Sequence, residues 1–429
     1  MAMIRPETEM KDSGIQWIGD IPNNWNIKPL YACLDEINQK NNPIVTTNIL
    51  SLTNTDGVIP YSERGNQGNK SKENFEEYKV VYPNTIVANS MNILIGSVGL
   101  SKYEGCVSPV YYVYMAKPQV DIRYMNYLFQ MEPFQKRLRQ FANGILEIRL
   151  RVSSHDILHQ KVAVPDYDEQ QAIADYLDKT CSKIDEIIAE AKASIDEYKE
   201  LKQSVIDKAV LHGLCNGMMK DSGNDLIGKI PLSWEMRKLK YVADFNPGIT
   251  TAYDAQKEVG YVPMNCVKNG YMNPLSARLS DMSTGLTGFQ DGDIVIAKVT
   301  PCFENGNIAV AENLEQGVAF GSSELFVIRT HSINRRFMLY YLQNSVFKNQ
   351  CISTMTGTGG LKRVSGYFVN NAYITYPPEN EQQVIVNYLD EAVKNMDSLI
   401  TEKESLINDL EAYKKSLIYE VVTGKRRVV

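Results

Sequence analysis

One phrase of this sequence is written twice. MKDSGIQWIGDIPNNW begins at Met10 and MKDSGNDLIGKIPLSW at Met219. Asp12-Ser13-Gly14 recurs as Asp221-Ser222-Gly223, Gly19 as Gly228, Ile21-Pro22 as Ile230-Pro231 and Trp25 as Trp234, all at an offset of 209. A longer match follows at an offset of 212, VPDYDEQQAIADYLDKTCSKID (164–185) with YPPENEQQVIVNYLDEAVKNMD (376–397). An internal repeat constrains architecture more than any single motif, because each copy must fold into the same kind of unit. With 429 residues available, two to four domains are expected.

The second match reads as a helix entrance. Each copy opens at a proline, and the pairs Asp168 with Gln171 and Asn380 with Gln383 have the spacing of a cap that satisfies free amides. Each helix should close at a glycine, Gly213 and Gly424, suited to the left-handed residue beyond a helix end. The two helices are then about 44 residues long, or ~65 Å at 1.5 Å per residue. Along the first, Leu177, Ile184, Ala191, Tyr198 and Val205 fall on heptad position d, and Cys181, Ile188, Ile195 and Lys202 on a. Along the second, Leu389, Met396, Lys403, Leu410 and Leu417 take d, and Val393, Ile400, Ile407 and Lys414 take a. So narrow a stripe suits a coiled-coil seam, and pairing the two helices with each other buries both stripes. The matching Lys202 and Lys414 either extend out of the seam or fix its register.

Between the helices lie two blocks, about 26–165 and 235–377, with weaker correspondence. Thr85-Ile86-Val87-Ala88 answers to Asp293-Ile294-Val295-Ile296, Tyr127 to Tyr340, Phe134 to Phe347, Gly144 to Gly357, and Arg151-Val152-Ser153 to Arg363-Val364-Ser365. The fold class expected is α+β: two similar mixed α/β blocks joined by two long helices that form an antiparallel coiled coil, with a pseudo-two-fold internal repeat. The Ile-Pro-x-x-Trp segments, just ahead of each block, should anchor its entrance to the helices through apolar contacts.

Composition bounds function. The formal net charge is −6, but 169–212 holds ten acids against six bases and 379–424 ten against four, which leaves +4 for the rest of the chain. The seven cysteines form no C-x-x-C pair and read as reduced, buried thiols. Without a basic start followed by an apolar run, or an apolar segment of about 18 residues, a cytoplasmic location is expected.

Motifs that suggest catalysis fail on spacing. TYPPEN (375–380) has the wrong order for the Pro-Pro-aromatic motif of amino-methyltransferases, and no glycine-rich nucleotide turn accompanies it. Gly357 to Arg363 lacks the spacing of a phosphate-binding P-loop and reads as a mobile, basic, glycine-rich loop. His155 and His159 have the i, i+4 spacing of zinc ligands, but no third ligand is evident and their counterparts are Tyr367 and Asn371. What remains are polar, basic stretches whose side chains suit base edges and phosphates, with ordinary solvated loops as the alternative. In the first block these are Arg64, Asn66, Asn69, Lys70 and Lys72, Asn89 and Asn92, and Arg149 and Arg151. In the second they are Lys268, Asn269, Lys298, Thr300, Glu304, Asn305, Lys362 and Arg363.

Taken jointly, the twin MKDSG…IP…W segments, the two P-x-x-x-E-Q-Q-x-I entrances, TPCFENG (300–306) and the ending YKKSLIYEVVTGK (413–425) resemble the specificity (S) subunit of type I restriction-modification systems over essentially the whole chain. That resemblance implies a non-catalytic, DNA-binding chain with two target-recognition domains reading a bipartite, asymmetric double-stranded DNA target. It also implies docking of two methyltransferase subunits, which would hold S-adenosylmethionine, and of endonuclease subunits. The corresponding division is 1–165 (N-terminal segment and first recognition domain), 166–213 (long central helix), 214–377 (linker and second recognition domain) and 378–429 (long C-terminal helix and tail). A two-lobed protein scaffold, or an enzyme with a cryptic site, are the competing readings.

Overall fold

The computed structural model describes residues 3–53, 57–64, 74–143, 150–214, 217–358 and 360–428. The chain forms two compact units, one made of Met1–Ala191 and Glu404–Val429, the other of Lys192–Lys403. Each unit therefore contains one block and a part of each long helix.

Both blocks are built on the same four-stranded antiparallel sheet. In the first unit, Leu34–Glu36, Tyr111–Ala116, Ile86–Asn89 and Val98–Leu100 lie side by side in that order. In the second, Ala243–Phe245, Leu325–Thr330, Ile294–Ala297 and Ile308–Val310 repeat the order. The inner strands Ile86–Asn89 and Ile294–Ala297 are buried at every position, so their β-branched runs are covered on both faces. Outside this shared sheet the blocks diverge. The second adds another four-stranded sheet, Leu275–Arg278, Glu258–Val262, Val318–Gly321 and Thr287–Gln290, with one parallel pairing. The first has instead two-stranded ribbons, Lys79–Val81 with Gly105–Val107 and Leu50–Leu52 with Val58–Pro60.

In each block the entering strand pairs with the departing one, Asn26–Pro29 with Lys161–Val164 and Glu235–Lys238 with Tyr373–Tyr376. The chain then passes directly into a long helix, Tyr167–His212 or Glu379–Val422, of 46 and 44 residues. The expected caps are corrected at both entrances. Asp166, not Asp168, accepts the Glu169 amide at 2.9 Å, because the helix begins at Tyr167, ahead of the start that the spacing predicts. The repeat position of Asp166 is Pro378, so the second entrance has no carboxylate cap, and Asn380 lies inside the helix. The E-Q-Q motif acts differently from a capping box. Gln170 accepts the Asp121 amide at 3.0 Å and donates to the Pro165 carbonyl at 3.0 Å; Gln382 accepts the Asn334 amide at 2.7 Å and donates to the Pro377 carbonyl at 2.8 Å. Both glutamines are fully buried, and each ties a long helix to the start of a short one, Ile122–Gln130 or Arg335–Gln343. About two turns on, Tyr127 donates to Asp178 at 2.7 Å and Tyr340 to Asp390 at 2.6 Å.

The two long helices are antiparallel within each unit. In the first unit the Val422 carbonyl, at the end of one helix, accepts from Tyr124, whose hydroxyl also reaches the Ala163 carbonyl ahead of the other helix. Farther along, Lys414 meets Asp185 at 2.6 Å. In the second unit Thr375 donates to the Val210 carbonyl at 2.6 Å, Lys202 meets Asp397 at 2.6 Å and Lys403 lies 5.9 Å from the Tyr198 ring centre. Of the expected seam, Leu177, Ile184, Ile188, Ile195, Leu389, Met396, Ile400 and Ile407 are buried, while Tyr198 and Leu410 are half-buried.

The duplicated Trp segments sit where one long helix ends and the other begins. Trp25 is fully buried, donates from Nε1 to Glu169 at 2.8 Å and packs at Gly424; Trp234 is equally buried and packs at Gly213, beside Glu381. This is the apolar anchor that the repeat implied. The copies differ in one polar detail, since the Trp234 Nε1 has no partner among the described residues.

Candidate nucleic-acid interface

The described members of the sequence-predicted polar set gather around the loop that leaves the inner strand of each shared sheet. In the second block that loop is TPCFENG. Phe303 buries its ring beneath it, and Gly306 turns the chain with a φ of 73°. Two other segments are stitched to it. The Ile308 amide donates to the Lys268 carbonyl at 3.1 Å and the Gly270 amide to the Ile308 carbonyl at 2.8 Å, which places Lys268 and Asn269 beside the loop's exit. On its other side the Thr300 amide donates to the Lys362 carbonyl at 2.9 Å and the Val364 amide to the Lys298 carbonyl at 2.8 Å. Lys268, Asn269, Lys298, Thr300, Glu304, Asn305, Lys362 and Arg363 therefore form one surface within this unit.

The Gly357–Arg363 segment differs from the loop expected there. It is a hairpin, Thr356–Thr358 paired with Leu361–Arg363, and a Cβ on Gly357 would lie 2.1 Å from the Leu361 carbonyl oxygen. The glycines let two backbones close rather than leave the segment loose. Arg363, exposed at its base, is gripped by both oxygens of Glu324, with Nε and Nη2 at 2.7–3.1 Å. The guanidinium holds the Glu324 carboxyl below its usual range. Lys298 lies 5.4 Å from the Phe326 ring centre, Asn269 accepts from Gln343 at 3.0 Å, and the buried Oε2 of Glu304 has no partner among the described residues.

The first block repeats the plan with fewer described members. Asn89 is buried, and its Oδ1 accepts the amides of Met91 and Asn92 at 3.0 and 3.4 Å, shaping the loop from within. The Val152 amide donates to the Ser90 carbonyl at 3.0 Å, and Arg151 pairs with Asn143, so Arg151 stands where Arg363 does. Arg64 lies over the Tyr61 ring at 5.9 Å and within electrostatic reach of Tyr111, the strand partner of Asn89. Asn66, Asn69, Lys70, Lys72 and Arg149 lie outside the described residues.

Apolar side chains at the tips of these loops escaped the sequence reading. Ile95, Tyr271 and Leu361 are each more than half exposed. Each adjoins a positive-φ glycine, Gly96, Gly270 or Gly360, and an apolar residue beside a turn glycine was the available signal. The apparent catalytic motifs have other employment. His155 and His159 stack on each other at 3.9 Å, and no group of three metal-ligating side chains occurs among the described residues. In TYPPEN, Tyr376 donates to the Ser332 carbonyl at 2.5 Å and lies 3.9 Å beneath the Arg237 guanidinium.

Known proteins resemble this chain in sequence and in fold. The chain is 34% identical over 192 residues to the specificity subunits of the type I restriction enzymes EcoAI and EcoEI of Escherichia coli, covering 44% of this chain. The match spans 32% of each of those proteins, about a third of their length. The putative MjaX specificity subunit of Methanocaldococcus jannaschii is 23% identical, with 96% of both chains covered. Among solved structures, a chain of a type I R-M system studied for its assembly and conformational transition superposes with a TM-score of 0.71 at 15% identity, covering 94% of this chain and 99% of that one. The HsdS subunit of Thermoanaerobacter tengcongensis gives 0.52 at 15% identity, covering 94% and 98%. These two likenesses are of fold. No helix among the described residues is long and apolar enough to cross a membrane. Finally, the model of the type I restriction modification DNA specificity domain matches twice, over residues 30–197 and 231–409, once for each copy of the repeat, and the chain belongs to that family.

Proposed function

We propose that this chain is the DNA-reading subunit of a cytoplasmic type I restriction-modification complex and carries no catalytic site of its own. Each block, within 1–165 and 214–377, inserts its loop cluster into a major groove and reads one half of a bipartite target. The helices at 166–213 and 378–429 set the gap between the half-sites and dock two methyltransferase subunits, with endonuclease subunits joining that assembly. S-adenosylmethionine and the extruded adenine belong to the methyltransferase. The observation that supports this reading best is the repetition itself. One loop cluster occurs at the same edge of the same sheet in both halves, with different side chains on it, as two unlike half-sites require. The acidity of the helices fits protein partners better than phosphate, and the +4 of the remainder fits DNA.

Base-resolved methylation mapping of cells carrying this chain with its methyltransferase tests the reading. A single two-part motif with unlike halves and a fixed spacer is expected. Exchange of 235–377 for another such block should change one half of the motif and leave the other intact. Methylation that ignores the exchange rules the function out.

A further inference from the structure

The repeat offers an internal control for sorting the interface residues. Most of the described interface differs between the blocks: the repeat positions of Asn89 and Asn92, in the alignment of the inner strands, are Ala297 and Thr300, and Lys268 has no described basic counterpart. Among the described residues, one basic side chain stands at the same position in both. Arg151 and Arg363 each open an Arg-Val-Ser triplet whose valine is buried and whose serine caps a short helix, Ser154–Leu158 or Gly366–Asn371. Each valine amide is hydrogen-bonded to the loop leaving the inner strand, at Ser90 and at Lys298. The two arginines thus stand at the same backbone position in each block, and both are exposed.

A residue that stands identically in two heads cannot carry the difference between the sequences they read. On this ground, and resting on the DNA-reading function above, we infer that Arg151 and Arg363 are a matched pair of phosphate contacts, one per block, and that base discrimination lies with the unshared residues around them. A phosphate oxygen is present at every step of every duplex, so this contact transfers between heads with unlike targets, whereas an arginine forked onto guanine does not. The two contacts are unequal. Glu324 occupies the Nε and Nη2 side of Arg363 and leaves Nη1 and the outer edge for phosphate. Arg151 has no ion pair among the described residues. Glu324 orients Arg363 and at the same time offsets its charge.

The test uses the chain assembled with its methyltransferase subunits, and compares binding to a duplex containing the mapped motif with binding to a scrambled duplex over a range of salt. Arg151→Ala should weaken binding to both duplexes by one common factor, about fivefold at 0.15 M salt, and reduce the slope of log affinity against log salt by ~0.9; Arg363→Ala should do the same to a smaller extent, because Glu324 already offsets part of its charge. The double variant should reduce it by more than either single variant, to at most ~1.8. Lys at either position should restore most of the affinity, since a phosphate accepts any cation while a guanine fork does not. Glu324→Gln should strengthen binding to both duplexes alike. A loss confined to the motif duplex and relaxed at one base pair, an unchanged salt slope, or failure of Lys to rescue would each overturn the assignment while leaving DNA reading intact. Wild-type complex that binds both duplexes equally would overturn the assignment and the reading together. Melting curves of the Lys variants exclude misfolding as the source of any loss.

Discussion

Gly213 and Gly424 end the two long helices with φ of 77° and 74°, a conformation in which a side chain is strained. Their surroundings differ. A Cβ on Gly424 would lie 2.4 Å from Pro22, whereas on Gly213 its nearest neighbour would be Trp234 at 3.2 Å. Gly213→Ala should therefore cost about 1 kcal/mol of backbone penalty plus a small adjustment of Trp234, and Gly424→Ala about 1–3 kcal/mol more for displacing a buried proline. Denaturant melts of the two variants check the order, and equal losses would show that the Trp25 site yields more than its packing implies. Buried thiols give a second expectation. Burial raises Cys106 and Cys181 from 9.0 to about 11. Between these values the unfolded chain has lost protons that the folded chain keeps, so these groups lower stability as pH rises from 9 towards 11. At pH 8.5 both should alkylate on the order of a hundredfold more slowly than in the unfolded chain, as mass spectrometry of labelled protein would report.

At the scale of elements, the long helices were legible and their attachments were not. A 3.5-residue repeat is visible in one dimension, and Leu177, Ile184, Leu389 and Ile400 are buried as it requires. Gln170 and Gln382 could be placed on a helix from sequence, but their partners Asp121 and Asn334 lie 49 and 48 residues away, a separation that no local pattern encodes. The hairpin at Thr356–Thr358 and Leu361–Arg363 was hidden for another reason: its glycines signal flexibility and close backbone approach equally well. The chemistry of Asn89 suits a base edge, but its burial depends on the loop that it shapes, which lies beyond any local pattern. The seam lysines give a prediction at this scale. Lys202 with Asp397, and Lys414 with Asp185, are charged pairs at the edge of an apolar seam, with the carboxylates more than half exposed. Leu at both lysine positions should raise stability by about 1 kcal/mol, because apolar a positions pack better and such exposed pairs contribute little. Lys202→Glu should lower the melting temperature, and adding Asp397→Lys should recover it.

For the whole molecule, the proposed spacing device makes a geometric prediction. One heptad added to each long helix preserves the seam phase and lengthens the pair by about 10 Å, or some three base-pair steps at ~3.4 Å. Methylation mapping of that variant should return the same two half-motifs with a spacer about three base pairs longer. An unchanged spacer would show that the helices do not set it. The repeat also explains why two unlike outer sheets can be carried on one scaffold: the entering and departing strands and the glutamine ties are common to both halves, and the divergent sheets take no part in them.

The reciprocal lysine pairs hold one more implication. Asp185 and Lys202 lie on one helix, Asp397 and Lys414 on the other, at the same separation, so each helix contributes both a key and a lock. A protein comprising only one half would be self-complementary along this edge, able to satisfy its own lysine with the aspartate of an identical sister. In the present chain the two halves meet along this edge as two such sisters would, while the sheets they carry differ.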